Sequence, residues 1–203
     1  QQCLQLVKLI EMPSSEVTTE RVWNEPWPSI DIQYRNITAL HFRLVKMDWA
    51  KRIAVQRYRP EQLTEPDRQE LLRAKPAKQW KVDLPATADY KQRMEEVDVP
   101  RDVEPGFYFL VASRHENFAQ NDNNWVTFCD VWVSHLAIVM RSGWGSTRVE
   151  GFVLDAKSGE PIANAEVRSW FRPNNNQSVQ AGPTVKSDGN GFFRVEGQPN
   201  QRC

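Results

Sequence analysis

The chain has little of what most reaction chemistry needs. Among its 203 residues there are three histidines and three cysteines. No Gly-rich phosphate loop, Cys/His metal cluster or Gly-x-Ser-x-Gly elbow occurs, so nucleotide-binding, zinc and serine-hydrolase signatures are absent. Charge of one sign is not in excess either. The 26 basic residues balance 26 acidic ones, which leaves no electrostatic footprint for nucleic acid or an anionic membrane. No apolar run approaches the roughly 20 residues that span a bilayer. No signal peptide is visible at Gln1. The chain starts without Met and stops at Cys203 in a polar stretch, so we expect a piece of a longer polypeptide.

The cysteines decide little. Cys3, Cys129 and Cys203 have no metal-ligand spacing, and an odd number leaves at least one unpaired within the chain. A Cys3–Cys129 bridge is open to the sequence. Separate thiols, with Cys129 buried in a strand, is the reading that needs less. The histidines, His41, His115 and His135, fall in three different strand regions and share no motif. His135 is beside Ser134 and near Asp130, but neighbours on a strand point to opposite faces. A catalytic triad is therefore not expected.

What the chain does have is aromatic residues: 8 Trp, 9 Phe and 4 Tyr. These suit pleated, half-buried surfaces, and most of the Trp are expected in a core. Period-2 alternation supports this. Ile30, Ile32 and Tyr34 alternate with polar residues, as do Leu40, Phe42 and Leu44, then Trp80, Val82 and Leu84. Pro105-Gly106 is a turn that launches the β-prone run "FYFLVAS", and "WVTFCDVWVSHLAIVMRS" reads as one long strand. The run "LQLVKLI" is open to a helix, but two extended segments are preferred for residues 4–23. One helix is expected over 60–75, with Thr64 as cap, Pro66 in the first turn and Asp67 in a capping-box position. Its apolar stripe of Leu63, Leu71 and Leu72 is thin, so it reads as a surface insertion.

The Gly/Ser stretch "RSGWGSTR", 141–148, marks a boundary. Beyond it, "VLDAKSGEPIANAEVRSW", 153–170, reads as a hairpin around Gly159 and Pro161. "TVKSDGNGFFRVEG" reads as a second, turning at Asp188–Gly191. The Asp188–Gly191 stretch lacks the further acidic ligands of a calcium loop. Asn36–Thr38 and Asn176–Ser178 match the glycosylation tripeptide, but Asn36 and Thr38 fit the start of a strand better. Trp144 or Trp170, if exposed, could stack on a sugar ring. The expected division is an extended segment or linker over 1–28, a sandwich over 29–141, and a second, small or truncated sandwich over 147–203.

Three stretches in order, "YRNITALHFRLVKMD", "WKVDLPATADYKQRMEEVDVPRDVEPGFYFLVAS" and "WVTFCDVWVSHLAIV", followed by "VLDAKSGEPIANAEV…SDGNGFFRV", cover roughly residues 30–195. Together they resemble the macroglobulin-type domains of large bacterial alpha-2-macroglobulin-like proteins. The last piece alone also looks like the small β-repeats that follow carboxypeptidases, outer-membrane receptors and surface adhesins. The resemblance implies a mainly β fold: tandem immunoglobulin-like (macroglobulin-type) antiparallel sandwiches with one short surface helix. It implies a non-catalytic structural module of an endopeptidase inhibitor, periplasmic or at the cell surface. Its partners would be other domains of the parent chain and, through the full-length protein, target proteases, with a membrane met only by anchoring of the parent, if at all. No catalytic, cofactor-binding or metal residue is assigned and no cofactor is expected. The family's Cys-Gly-Glu-Gln thioester signature is absent, so none of Cys3, Cys129 and Cys203 takes that role. The alternative is an Ig-like adhesion or carbohydrate-binding module.

Overall fold

The computed structural model describes residues 5, 7, 10–55, 59–121, 124–142, 148–171 and 179–196. It is mainly β and separates into two compact units. The first comprises residues 1–23, 27–47 and 64–133; the second comprises 24–26, 48–63 and 134–203.

The first unit is a two-sheet sandwich. One sheet orders β1 (Ser14–Thr19), β3 (Ser29–Arg35) and β6 (Arg93–Asp98) as β1-β3-β6. The other runs β2 (Val22–Trp23), β8 (Thr127–Val133), β7 (Gly106–Ser113), β4 (Ala39–Met47), β5 (Lys78–Asp83). All pairs are antiparallel except β2 with β8. The alternating residues of the sequence are the facing residues of the sandwich. Ile30, Ile32 and Tyr34 from one sheet and Leu40, Phe42, Leu44, Tyr108 and Leu110 from the other are buried in one cluster. Trp80 stacks on Phe42 with ring centroids 5.3 Å apart. Strand β7 is buried on both faces, which is why it reads as a continuous apolar run.

Two helices lie wholly among the described residues: α1 (Trp49–Val55) and α2 (Glu65–Arg73). Helix α2 carries the full capping box expected of it. The Thr64 side chain accepts from the Asp67 amide, and the Asp67 carboxylate accepts from the Thr64 amide at 2.7 Å. It is more than a surface insertion, however. Leu71 is completely buried, Arg43 donates to the Leu72 carbonyl, and Arg68 lies over the Phe128 ring. The helix thus covers the outer face of the five-stranded sheet. The thin stripe was legible; that Leu71 is fully buried was not.

The second of the two extended segments is there as expected: strands β1 and β2 lie within residues 14–23, paired to β3 and β8. Several other expectations are corrected. Among the described residues of the first run, Gln5, Val7, Ile10 and Glu11 are helical rather than extended. Helix α1 was not foreseen; Asp48 starts it by accepting from the Lys51 amide at 3.0 Å. Of the seven Trp described, Trp23 alone is fully buried, five are half-buried and Trp125 is exposed. Trp144 lies outside the described residues.

The second unit holds sheets β13-β10-β9 and β11-β12, built from β9 (Leu136–Ser142), β10 (Arg148–Asp155), β11 (Glu166–Phe171), β12 (Gln180–Lys186) and β13 (Phe192–Glu196). The run from Trp125 to Ser142 is therefore two strands, broken at Ser134-His135. The second of them, β9, pairs with β10 throughout. The strand change falls there, before the Gly/Ser stretch at 141–148.

The opening of β10 towards β11 is not a hairpin. Strand β10 pairs with β9 and β13, while β11 pairs with β12 in the other sheet. The chain turns back briefly, forming an isolated bridge from Leu154 to Pro161. It then crosses to the second sheet past Asn164, whose φ is 60°. Likewise, β12 and β13 lie in different sheets. Both expected hairpins are arches, and the small core of Val153, Phe193 and Val195 sits between the sheets with Ala165, Val167 and Val185. Ala163 is exposed.

Candidate functional site

Among the described residues, the three histidines fall in different parts of the fold, and His135 lies close enough to Asp155 for its charge to act on that carboxylate. His41 is on β4, opposite Lys81 and Ser113. His115 follows β7, where its amide donates to Ser113 Oγ at 3.0 Å and its carbonyl accepts from that hydroxyl at 2.7 Å. His135 is exposed, and its carbonyl accepts from the Ala156 amide. Asp130 is engaged by Arg21 at 2.6 Å. The Ser134 hydroxyl donates to the Leu136 carbonyl and accepts from the Leu136 amide. Among the described residues, no group of three or more His, Cys, Asp or Glu is placed to hold a metal ion. No helix among them is long and apolar enough to cross a membrane.

Cys129 is a free, half-buried thiol on β8, 3.5 Å from the Val17 carbonyl oxygen. Burial, with the Asp130 charge adding to it, pushes its pKa up to about 11. That is the opposite of a nucleophile, whose thiolate must be favoured. Cys3 and Cys203 lie outside the described residues.

The buried polar side chains hold loops. Five are buried among the described residues: Arg52, Thr87, Ser113, Asn124 and Ser187. Each bonds to backbone. Arg52 donates to the carbonyls of Pro60 and Gln62. Thr87 Oγ1 accepts from the Asn36 amide at 2.7 Å, and Ser113 serves the His115 loop as above. Asn124 donates to the Ala119 carbonyl at 2.6 Å and accepts from the Arg114 amide. Ser187 donates to the Ile162 carbonyl at 2.6 Å and accepts from the Ala165 amide. Such bonds prevent the penalty of an unpaired buried dipole and fix loop geometry.

Asn36 belongs to the same pattern. Its side chain accepts from Thr87 and donates to the Ile10 carbonyl, so it is a loop staple at the start of β4. Asn176–Ser178 lies outside the described residues. Asp188 is a turn residue whose carboxylate accepts from the amides of Asn190 and Phe192. Trp170 is half-buried.

A small open cavity of about 280 Å³ is lined by Pro13, Asn36, Ile37, Thr38, Ala39, Arg114 and His115. Its cation is committed, because Arg114 donates to the Pro13 carbonyl at 2.8 Å. Partial burial lowers the Arg114 pKa from its ordinary value, but guanidinium stays charged in any case. The exposed Trp125, at 69% of its full surface, stands apart from this cavity's lining.

The architecture defines the class: a mainly β protein of two compact units. No family model matches the chain, and no curated protein sequence matches it. Solved structures do. Native alpha-2-macroglobulin from Escherichia coli spanning domains NIE-MG1 aligns with a TM-score of 0.64 at 14% identity, covering 94% of this chain and 90% of that one. The longer MG0-NIE-MG1 structure of the same protein aligns with a TM-score of 0.62 at 14% identity, and the match spans 59% of it. The chain therefore has the fold of macroglobulin-type domains.

Proposed function

We propose that the chain is a non-catalytic structural module of a large bacterial alpha-2-macroglobulin-like endopeptidase inhibitor, in the periplasm or at the cell surface. The observation that carries this reading is the fold likeness over 94% of the chain. The use of buried polar groups to hold loops supports it. In such an inhibitor the module keeps its neighbours in place while another part meets the protease. Its partners are other domains of the parent chain, and target proteases through the full-length protein.

The test is a trapping assay on the parent protein. With parent present, a protease should lose activity on a large protein substrate yet keep it on a small chromogenic peptide. The 203-residue chain alone should leave cleavage of both substrates unchanged. Unchanged cleavage of the large substrate by the parent would sink the proposal.

One observation favours a second reading, an Ig-like adhesion or carbohydrate-binding module: Trp125 is exposed in the loop before β8. Exposed indole suits sugar stacking. Glycan-array binding that vanishes in Trp125→Ala would move the assignment to this reading.

A further inference from the structure

Among the described residues, strand β9 is the end strand of β13-β10-β9, and it is apolar on both faces. Leu136, Ile138, Val139 and Met140 are exposed by 48%, 56%, 55% and 69%. Strand pairing assigns their sides. Ile138 lies opposite Val153 and Met140 opposite Gly151, so both are on the side that carries the small core. Val139 lies opposite Phe152, which in turn lies opposite Phe192 on the outer side. Phe152 is itself 43% exposed and makes an edge contact with Phe192 at 5.4 Å.

Natural edge strands are protected by inward charge, proline, bulges or shortness, because their free amides and carbonyls template further pairing. Strand β9 has none of these between Leu136 and Met140. It is seven residues long and pairs with β10 without a register shift. Its order of residues is also self-complementary. In antiparallel pairing about Val139, Ile138 meets Met140 of the other copy, Val139 meets Val139, and Ala137 meets Arg141. No like charges are opposed. Moving the centre by one residue to Ile138 would set His135 against Arg141, and moving it to Met140 would set Val139 against Arg141. Arg141 already faces Glu150 on its own sheet, and the chain's formal net charge is +0, so no net repulsion keeps two copies apart.

We propose that β9 is a self-association surface: two copies of this chain join by antiparallel β9–β9 pairing centred on Val139, making one continuous sheet. The dyad is perpendicular to the sheet, so Ile138 and Met140 of both copies stay on the core side and the Val139–Phe152 patches merge on the outer side. The contact is isologous and closes at two copies. It is independent of the function proposed above.

The test is sedimentation equilibrium of the 203-residue chain at loadings on the order of 1 to 200 µM, where a small strand-pair interface associates. The mass should rise from 23.6 kDa towards twice that value with concentration. Val139→Lys, which sets two ammonium groups opposite one another at an already exposed site, should shift the midpoint at least tenfold upward. Val139→Thr, another β-former, should keep the dimer within about threefold. Amide exchange at Ile138 and Met140 should slow as concentration rises. A monomer at every loading, or a dimer indifferent to Val139→Lys in a protein with native circular dichroism, overturns the proposal. Concentration-independent protection of those amides would do so too, since it means that another strand covers the edge. If Val139→Lys does not fold, the exchange series on the unsubstituted chain decides alone.

Discussion

At the residue scale the second unit depends on where a Cβ is missing. Gly159 and Gly191 both have left-handed backbone, with φ of 74° and 73°. Their surroundings differ. A Cβ on Gly159 would meet nothing within 4 Å, whereas one on Gly191 would lie 2.5 Å from the Val153 carbonyl oxygen and 3.1 Å from Pro161 Cβ. The Gly191 carbonyl also accepts from the Val153 amide at 2.8 Å, so the two arches touch backbone to backbone here. Gly159→Ala should cost only the conformational term, about 1–2 kcal/mol. Gly191→Ala should add an overpacking term of about 1–3 kcal/mol. Urea midpoints of the two variants measure the difference, and equal losses would show that the close approach is not real. Both glycines were legible as turn formers. That one is also a packing contact depends on a distant strand and left no local signal.

Asp155 gives the residue scale a pH dependence. Its carboxylate accepts from the amides of Ser158 and Lys157 and from the Ser158 hydroxyl, and these bonds, the Ser158 amide foremost, hold its pKa below the ordinary carboxylate value. The folded value lies below the unfolded one of about 3.9. The stabilisation is therefore full above that pH and is lost as pH falls through the folded value. Asp155 is solvent-accessible, so the effect is small. Asp155→Asn should flatten the fall in urea midpoint between about pH 5 and 2.5. An unchanged acid limb would remove Asp155 as a contributor.

At the element scale, helix α2 separates what local rules reach from what they miss. Thr64, Pro66 and Asp67 are local signals, and the capping box forms as they require. Thr64→Ala should cost about 1 kcal/mol. Leu71→Ala should cost more, about 2–5 kcal/mol, because Leu71 is fully buried. Chemical denaturation of both variants checks the order. A smaller loss at Leu71 would restore the reading of α2 as a surface insertion. Helix α1 was missed because its seven residues, Trp49–Val55, follow a strand and lack a clear apolar stripe.

Strand pairing is the other limit. The period-2 patterns of Ile30–Tyr34 and Leu40–Leu44 placed individual strands well, since alternation follows directly from a half-buried face. Partner choice is not periodic. Gly159 and Pro161 promote a tight reversal whether the next strand rejoins the same sheet or crosses to the other. Hairpin and arch therefore share one turn chemistry, and the arch was read as a hairpin. In the same way "WVTFCDVWVSHLAIVMRS" is β-prone throughout. Only the pairing of β8 with β7 and of β9 with β10 divides it.

At the scale of the whole molecule, each unit has its own core. The proposed function has this chain contribute shape rather than reactive groups to a parent inhibitor. His41, His115 and His135 then have no chemical duty, while Gly191 has a structural one. The most direct measurement is the parent's trapping of a protease, scored by loss of cleavage of a large substrate. Parents carrying Ala at all three histidines should trap as well as the unsubstituted protein. The parent carrying Gly191→Ala should lose trapping in step with the loss of folded module. A triple-histidine variant that folds with native stability yet no longer traps would contradict the account.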